Sequence, residues 1–225
     1  MTLIARLALA ATVPIILAVA VCLCAEATTQ PLAKPLPQPR LDGEMSVEQA
    51  LQRRRSLRRY SGQPLNAAQI GQLCWAAQGI SDRQRGLRTC PSAGATYPLE
   101  LYVVTAAGVD SYRPQGHTLS RQLDGDYRER LKAAAMSQAS VGSAPVVFVI
   151  AAVPQRTQAK YGQRAIRYVW AEAGHACQNL LLEATAMELR GVPVGAFDDD
   201  EVAKVLSLPP DRSVLYLVPI GVSAK

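Results

Sequence analysis

Apolar residues at Ile70, Leu73, Cys74 and Ala77 recur at steps of three and four and predict a helix opening at Leu65–Gln69 and ending at Gly79. A longer run of the same period holds Ile166, Val169, Trp170, Ala173, Cys177, Leu180, Leu181, Ala184 and Met187. It predicts a helix over 164–190 stopped by Gly191, with a polar stripe of Tyr168, Glu172, His175 and Asn179 on another face. Leu99–Thr105 reads as a strand, and the nearly unbroken apolar run Ala144–Ala152 as a strand in a sheet covered on both faces. Ser213–Ile220 is the last strand, and residues 108–125 suggest a hairpin around Tyr112. Shorter helices are expected at 127–136, at 199–206 and from Ser46, where Gln49 completes a capping box. Helices dominate and strands fall in the middle and at the end, so a mixed α+β layer structure is expected.

The first residues follow neither period. Arg6 precedes an uncharged run of 19 residues, Leu7–Ala25, and Ala25-Glu26-Ala27 has the small-x-small form of a cleavage site. Residues 1–27 therefore read as a signal peptide that sends the domain to a periplasm or out of the cell. The alternative is an anchor in the inner membrane, with attachment through residues 7–25. Prolines at 31, 35, 37 and 39 make residues 28–45 a linker, parts of which can wrap over the domain. The domain itself is expected at 46–222, with 223–225 as a tail. A mature chain of this length suits one domain with a substantial core.

The net charge of +6 permits anionic ligands without demanding nucleic acid. Of the five cysteines, Cys22 and Cys24 lie in the apolar segment, and Cys74 and Cys177 lie in helical apolar patterns. Cys90 is expected to be the most exposed. No CxxC pair occurs, and the two histidines, His117 and His175, are not spaced as a metal centre; His175 reads as structural. The dinucleotide, P-loop, zinc-protease and nucleophile-elbow motifs are absent.

Three stretches can carry chemistry. Arg54, Ser56 and Arg58 combine forked guanidinium donors with a hydroxyl, a set that grips phosphate; Arg54 and Arg58 share a face if the stretch is helical. A solvated basic surface has the same composition, and no aromatic platform accompanies it to suggest nucleic acid. Pro91, Ser92, Ala93 and Gly94 open a turn whose small residues let backbone amides approach a planar ligand, or which simply feeds the next strand. Gly195 and Ala196 in GVPVGAF are equally small, and Asp198 is expected to cap the following helix.

In this order the segments RRSLRRYS (54–61), PSAGATYPLELYVV (91–104), YGQRAIRYVWAEAGHACQNLLLEA (161–184), GVPVGAF (191–197) and LYLVPIG (215–221) resemble the nitroreductase superfamily, especially its SagB-type dehydrogenase branch. The resemblance implies an α+β, FMN-dependent fold with a central, mostly antiparallel sheet flanked by helices, and a homodimer with FMN near the subunit boundary. It implies that Arg54, Ser56 and Arg58 contact the flavin phosphate or ribityl chain. Pro91, Ser92, Ala93 and Gly94 would lie beside the isoalloxazine, and Gly195 and Ala196 would present an amide near flavin N5. Relatives carry a basic residue soon after the final strand; here only Lys225 can take that part. Glu172, His175, Gln178 and Asn179 would be structural.

The implied chemistry belongs to the flavin, with no catalytic side chain and no metal. Hydride equivalents would pass through N5 in a ping-pong cycle. NADH or NADPH is the usual donor, and the acceptor a nitroaromatic or quinone; SagB-type relatives instead oxidise azolines in peptides, so a small-molecule or a peptide substrate is expected. Two other readings stay open: a flavin-binding electron-transfer or assembly partner, and a cofactor-free structural homologue.

Overall fold

The computed structural model describes residues 33–224. The expected leader at 1–27 and the tail residue Lys225 lie outside them. Nine strands and seven helices are described: β1 (Ala33–Pro35), α1 (Val47–Arg53), α2 (Ala67–Gln78), β2 (Ile80–Asp82), β3 (Leu87–Arg88), β4 (Leu99–Thr105), β5 (Gly108–Arg113), β6 (Thr118–Asp124), α3 (Arg128–Ala134), α4 (Ala139–Ser143), β7 (Val146–Ala152), α5 (Gln155–Tyr161), α6 (Ala165–Ala186), β8 (Arg190–Gly191), α7 (Asp199–Val205) and β9 (Ser213–Gly221). Seven strands form one sheet in the order β1-β6-β5-β4-β7-β9-β8, every neighbouring pair antiparallel. β2 and β3 pair separately. The α+β architecture, with a central antiparallel sheet between helices, is as expected.

All seven residues of β7 are buried, because helices cover both faces of the sheet. On one face Leu101, Val103, Phe148, Ile150 and Val218 pack against Leu73 and Cys74 of α2 and Val169, Ala173 and Leu180 of α6. On the other, Val104, Val147, Val149 and Leu217 pack against Leu131 of α3, Val141 of α4 and Val202 of α7. Each fully buried side chain of this size contributes roughly 1.5–3 kcal/mol.

The proline-rich segment does more than link. Ala33, Lys34 and Pro35 pair with Ser120, Leu119 and Thr118 at the sheet edge, where a proline's missing donor costs no ladder bond. Leu36 is buried, and the His117 ring spans from the Pro37 carbonyl to the Tyr112 hydroxyl, both at 2.9 Å. His117 is thus a strut for this strap.

Several local readings change. α6 ends at Met187, not at Gly191. Glu188 adopts φ +60, its amide reaches Thr185 O, and the Leu189 amide reaches Ala184 O at 2.7 Å, a Schellman closure that needs no glycine. Gly191 instead sits in β8, where a Cβ would stand 2.9 Å from Ile220 and 3.0 Å from the Pro219 carbonyl. Ile166 and Trp170 follow the apolar period of α6 yet are 45% and 51% exposed. His175 is exposed as well. Cys90 is corrected most sharply: it is 2% exposed, because the chain at 90 runs beneath α6 with its thiol 3.5 Å from the Glu172 carbonyl. Burial pushes its thiol up to about 12.

Membrane attachment is not retained. Among the described residues no helix is long and apolar enough to cross a membrane, and residues 7–25, on which that expectation rested, lie outside them.

Candidate functional site

The basic segment begins where α1 stops. Ser46 and Gln49 cap that helix reciprocally, and Arg54 leaves it at φ −58, ψ 121. Arg54 and Arg58 therefore do not share a helical face. The chain runs on extended, and in an extended chain alternate residues share a side, so Arg54, Ser56 and Arg58 stay compatible with one ligand through a period of two. Ser56 forms a parallel bridge with Gly191, and the Leu57 amide donates to Gly191 O at 3.2 Å. Tyr60 is buried, its single hydroxyl proton shared between the carbonyls of Leu57 (2.9 Å) and Pro219 (3.0 Å). Beyond it the Ser61 amide donates to Val222 O at 2.9 Å and the Ala224 amide to Arg59 O at 3.2 Å. The segment is thus tied to β8, β9 and the tail. Among the described residues neither the Arg54 nor the Arg58 guanidinium forms an ion pair, and Ser56 and Arg58 are exposed.

GVPVGAF continues from the same place. Val194 exchanges hydrogen bonds with Leu217, at 2.8 and 3.0 Å, and pairing ends there. Gly195 and Ala196 are exposed, and their amides donate to none of the described residues. The Ala196 carbonyl accepts from Gln138 Nε2 at 2.7 Å, and Asp198 caps α7 through the Glu201 amide at 2.9 Å. Two free amides are therefore held on an anchored loop, open to an acceptor atom.

Pro91–Gly94 is built differently. The Ser92 hydroxyl accepts from the Tyr97 amide at 2.9 Å, closing a tight loop in which Gly94, Ala95 and Tyr97 all have positive φ. The Ala93 amide donates to Glu172 Oε1 at 2.8 Å. Glu172 is 4% exposed, and burial raises its carboxyl above the usual range against the lowering pull of that amide. A Cβ on Gly94 would stand 2.6 Å from both Lys160 Nζ and the Tyr161 hydroxyl. Lys160 donates to Gly94 O at 3.5 Å. Sequence reasoning singled out neither residue; 66 positions separate Lys160 from Gly94, and only the fold brings them together.

The chain thus assembles two clusters. One joins Arg54, Ser56 and Arg58 to the root of the Gly195–Ala196 loop and to the tail. The other holds Pro91, Ser92, Ala93 and Gly94 with Lys160, Tyr161 and Glu172. Leu181 of α6 packs where a Gly191 Cβ would point, and Glu172 lies further up the same helix, by about 14 Å of rise. No hydrogen bond among the described residues joins the two clusters. Lys225 lies outside those residues.

A cationic cradle with a hydroxyl, two free amides on an anchored loop, and a small-residue turn beneath a lysine form a donor set suited to an anionic, planar ligand. The nitroreductase family model matches residues 51–222, which take in both clusters apart from the tail. The chain belongs to the nitroreductase family. A protein of Methanocaldococcus jannaschii named as a nitroreductase is 41% identical over 184 residues, 79% of this chain and 91% of that one. A crystal structure of a protein named as a nitroreductase from Ralstonia eutropha superimposes with a TM-score of 0.79 at 30% identity, covering 88% of this chain and 92% of that one. Another, from Anabaena variabilis, gives 0.70 at 26% identity over 79% of this chain and 38% of that one. These likenesses are to nitroreductases as a whole, and none sets a SagB-type branch apart. Nitroreductase family membership points to an oxidoreductase, and the fold is one that generally binds FMN.

Proposed function

We propose that the protein is an FMN-dependent oxidoreductase, and the observation that carries this is the cradle of Arg54, Ser56 and Arg58 locked to Gly191 and the tail. Arg54 and Arg58 would neutralise the flavin phosphate, with Ser56 donating a compact third bond. The free amides of Gly195 and Ala196 would meet the ring near N5, and Pro91–Gly94 would lie against its face. Held by these residues, FMN would supply hydride-transfer chemistry between two substrates that visit the site in ping-pong order. NADH or NADPH is the donor class and a nitroaromatic or quinone the acceptor class; azoline oxidation in a peptide is the reverse use. Lys160 and Tyr161 stand over the Pro91–Gly94 loop and would supply the positive charge and the exchangeable proton that a charged reduced ring requires.

Within one copy the two clusters are separated by about 14 Å of rise along α6, and no hydrogen bond among the described residues joins them. A homodimer in which each copy lends its Pro91–Gly94 loop to the other's cradle closes the gap. Exposed Ile166 and Trp170 on α6, with Val47 and Leu51 on α1, give such a pair an apolar surface to bury. We further propose that the domain works outside the cytoplasm, on the strength of the Leu7–Ala25 run and the Ala25-Glu26-Ala27 site.

The test is a visible spectrum of the purified protein before and after adding FMN, with the mass in solution measured alongside. Stoichiometric bound flavin on a dimer supports the reading. A protein that stays colourless in excess FMN overturns it.

A further inference from the structure

β4 and β5 part company near one end of the sheet. β4 pairs with β7 from Leu99 onward, but its pairing with β5 starts only at Tyr102 opposite Ser111. A cleft of about 330 Å³ fills the gap, within the size range of small-ligand sites. Its lining contains four arginines, Arg88, Arg113, Arg156 and Arg212, and a single carboxylate, Glu100. That carboxylate is already taken: Arg156 Nη2 lies 2.6 Å from it and Arg212 Nε 3.1 Å. Arg212 also pairs with Asp211.

Arg88 differs from these two. It is only partly exposed, yet no carboxylate among the described residues pairs with it. Its Nη1 donates to Gln78 Oε1 at 2.7 Å, and its guanidinium stacks 4.6 Å from the Tyr97 ring centroid. These contacts fix the plane of the fork, while Nε and Nη2 donate to none of the described residues. Arg113, on the β5 side, makes no ion pair among them either. A half-buried guanidinium held in place with donors to spare is costly unless an anion answers it. Burial lowers the Arg88 pKa, the direction expected of a charge that lacks its counter-ion.

We infer that this cleft is a binding site for a small molecule bearing an oxyanion, phosphoryl or carboxylate, held by Arg88 with Arg113 as the second cation. The fork geometry of a guanidinium matches either group in a two-bond contact. The site adjoins the Pro91–Pro98 loop directly, for the Arg88 amide donates to the Tyr97 hydroxyl at 3.3 Å and Arg156 Nη1 to the Tyr97 carbonyl at 3.3 Å. It shares no residue with the proposed flavin cradle and stands whether or not flavin binds.

Calorimetric titration of the purified full chain with pyrophosphate and, separately, with succinate tests this, in a buffer free of other multivalent anions. One of the two is expected to bind, and the preference assigns phosphoryl or carboxylate. Arg88→Gln should weaken that binding by about tenfold. Arg113→Gln, at an exposed residue that pairs with no carboxylate among the described residues, should weaken it by about threefold and leave the unfolding midpoint unchanged, which keeps the test decisive should the Arg88 variant fold poorly. An absence of binding by both anions up to about 10 mM overturns the inference. So does binding that Arg54→Ala abolishes while Arg88→Gln and Arg113→Gln leave it intact, because the anion would then occupy the other basic cluster.

Discussion

The backbone amide of Ala93 donates to the buried carboxylate of Glu172 at 2.8 Å, so one side chain of the longest helix sets the position of the Pro91–Gly94 loop. Burial raises the Glu172 pKa, which means the folded state holds that proton more tightly than the unfolded chain does. Stability should therefore fall as pH rises from the ordinary glutamate range through the raised value, and level off above it. Glu172→Gln keeps an acceptor for Ala93 and should remove this component of the slope. Glu172→Ala leaves the amide without a partner and should cost about 1–3 kcal/mol. Urea unfolding across a pH series reads both; an unchanged slope in the glutamine variant would refute the assignment.

Arg54→Ala and Arg58→Ala should each weaken FMN binding by about tenfold or more, the scale of a lost charged hydrogen bond. Ser56→Ala should have a smaller effect. Thermal midpoints should barely move, because neither arginine pairs with a described carboxylate. Quenching of flavin fluorescence gives the affinities, and wild-type affinity in both arginine variants would remove the cradle from the mechanism.

Lys160→Met should lower turnover with a quinone or nitroaromatic acceptor while leaving the fold intact, since the lysine is exposed and makes a long contact to Gly94 O and a distant one, 5.8 Å, over the Tyr161 ring. Steady-state kinetics with matched flavin content checks this. Unaltered kcat and KM would show that Lys160 takes no part.

Gly221→Ala should destabilise the domain by about 1–3 kcal/mol, the usual cost of forcing an extra carbon into a packed site. The new Cβ would lie 2.7 Å from Pro145 Cδ and 3.1 Å from the Tyr60 ring. Tyr60→Phe should cost about 1 kcal/mol by removing the hydroxyl that joins Leu57 to Pro219. Denaturant midpoints decide both.

The regular elements were readable because each rests on a local signal. The capping box at Ser46–Gln49, the helix start within Leu65–Gln69 and the Leu99–Thr105 strand appear where the pattern put them. What went unread depends on distant partners. Gly191 looks like a helix stop, but it is small because Ile220 and Pro219 press on it. Cys90 sits in a polar, turn-rich stretch and is buried only because α6 crosses above it. Ile166 and Trp170 carry the core periodicity, but no described element covers them. The candidate residues on the basic segment and in both small-residue loops stand out as motifs. Their division into two clusters was not, since it follows from where each loop meets α6.

Tyr60 grips Pro219 across 159 positions, and the backbone on either side of it, at Arg59 and Ser61, is sewn to Ala224 and Val222. The frame of the cradle is therefore supplied by chain that is synthesised long after the arginines themselves. Until residues 213–224 have emerged, Arg54, Ser56 and Arg58 lack the frame that orients them, and closing so long a loop is slow relative to forming the local helices. A chain cut short of Ser213 would carry the charges of the cradle with nothing to aim them.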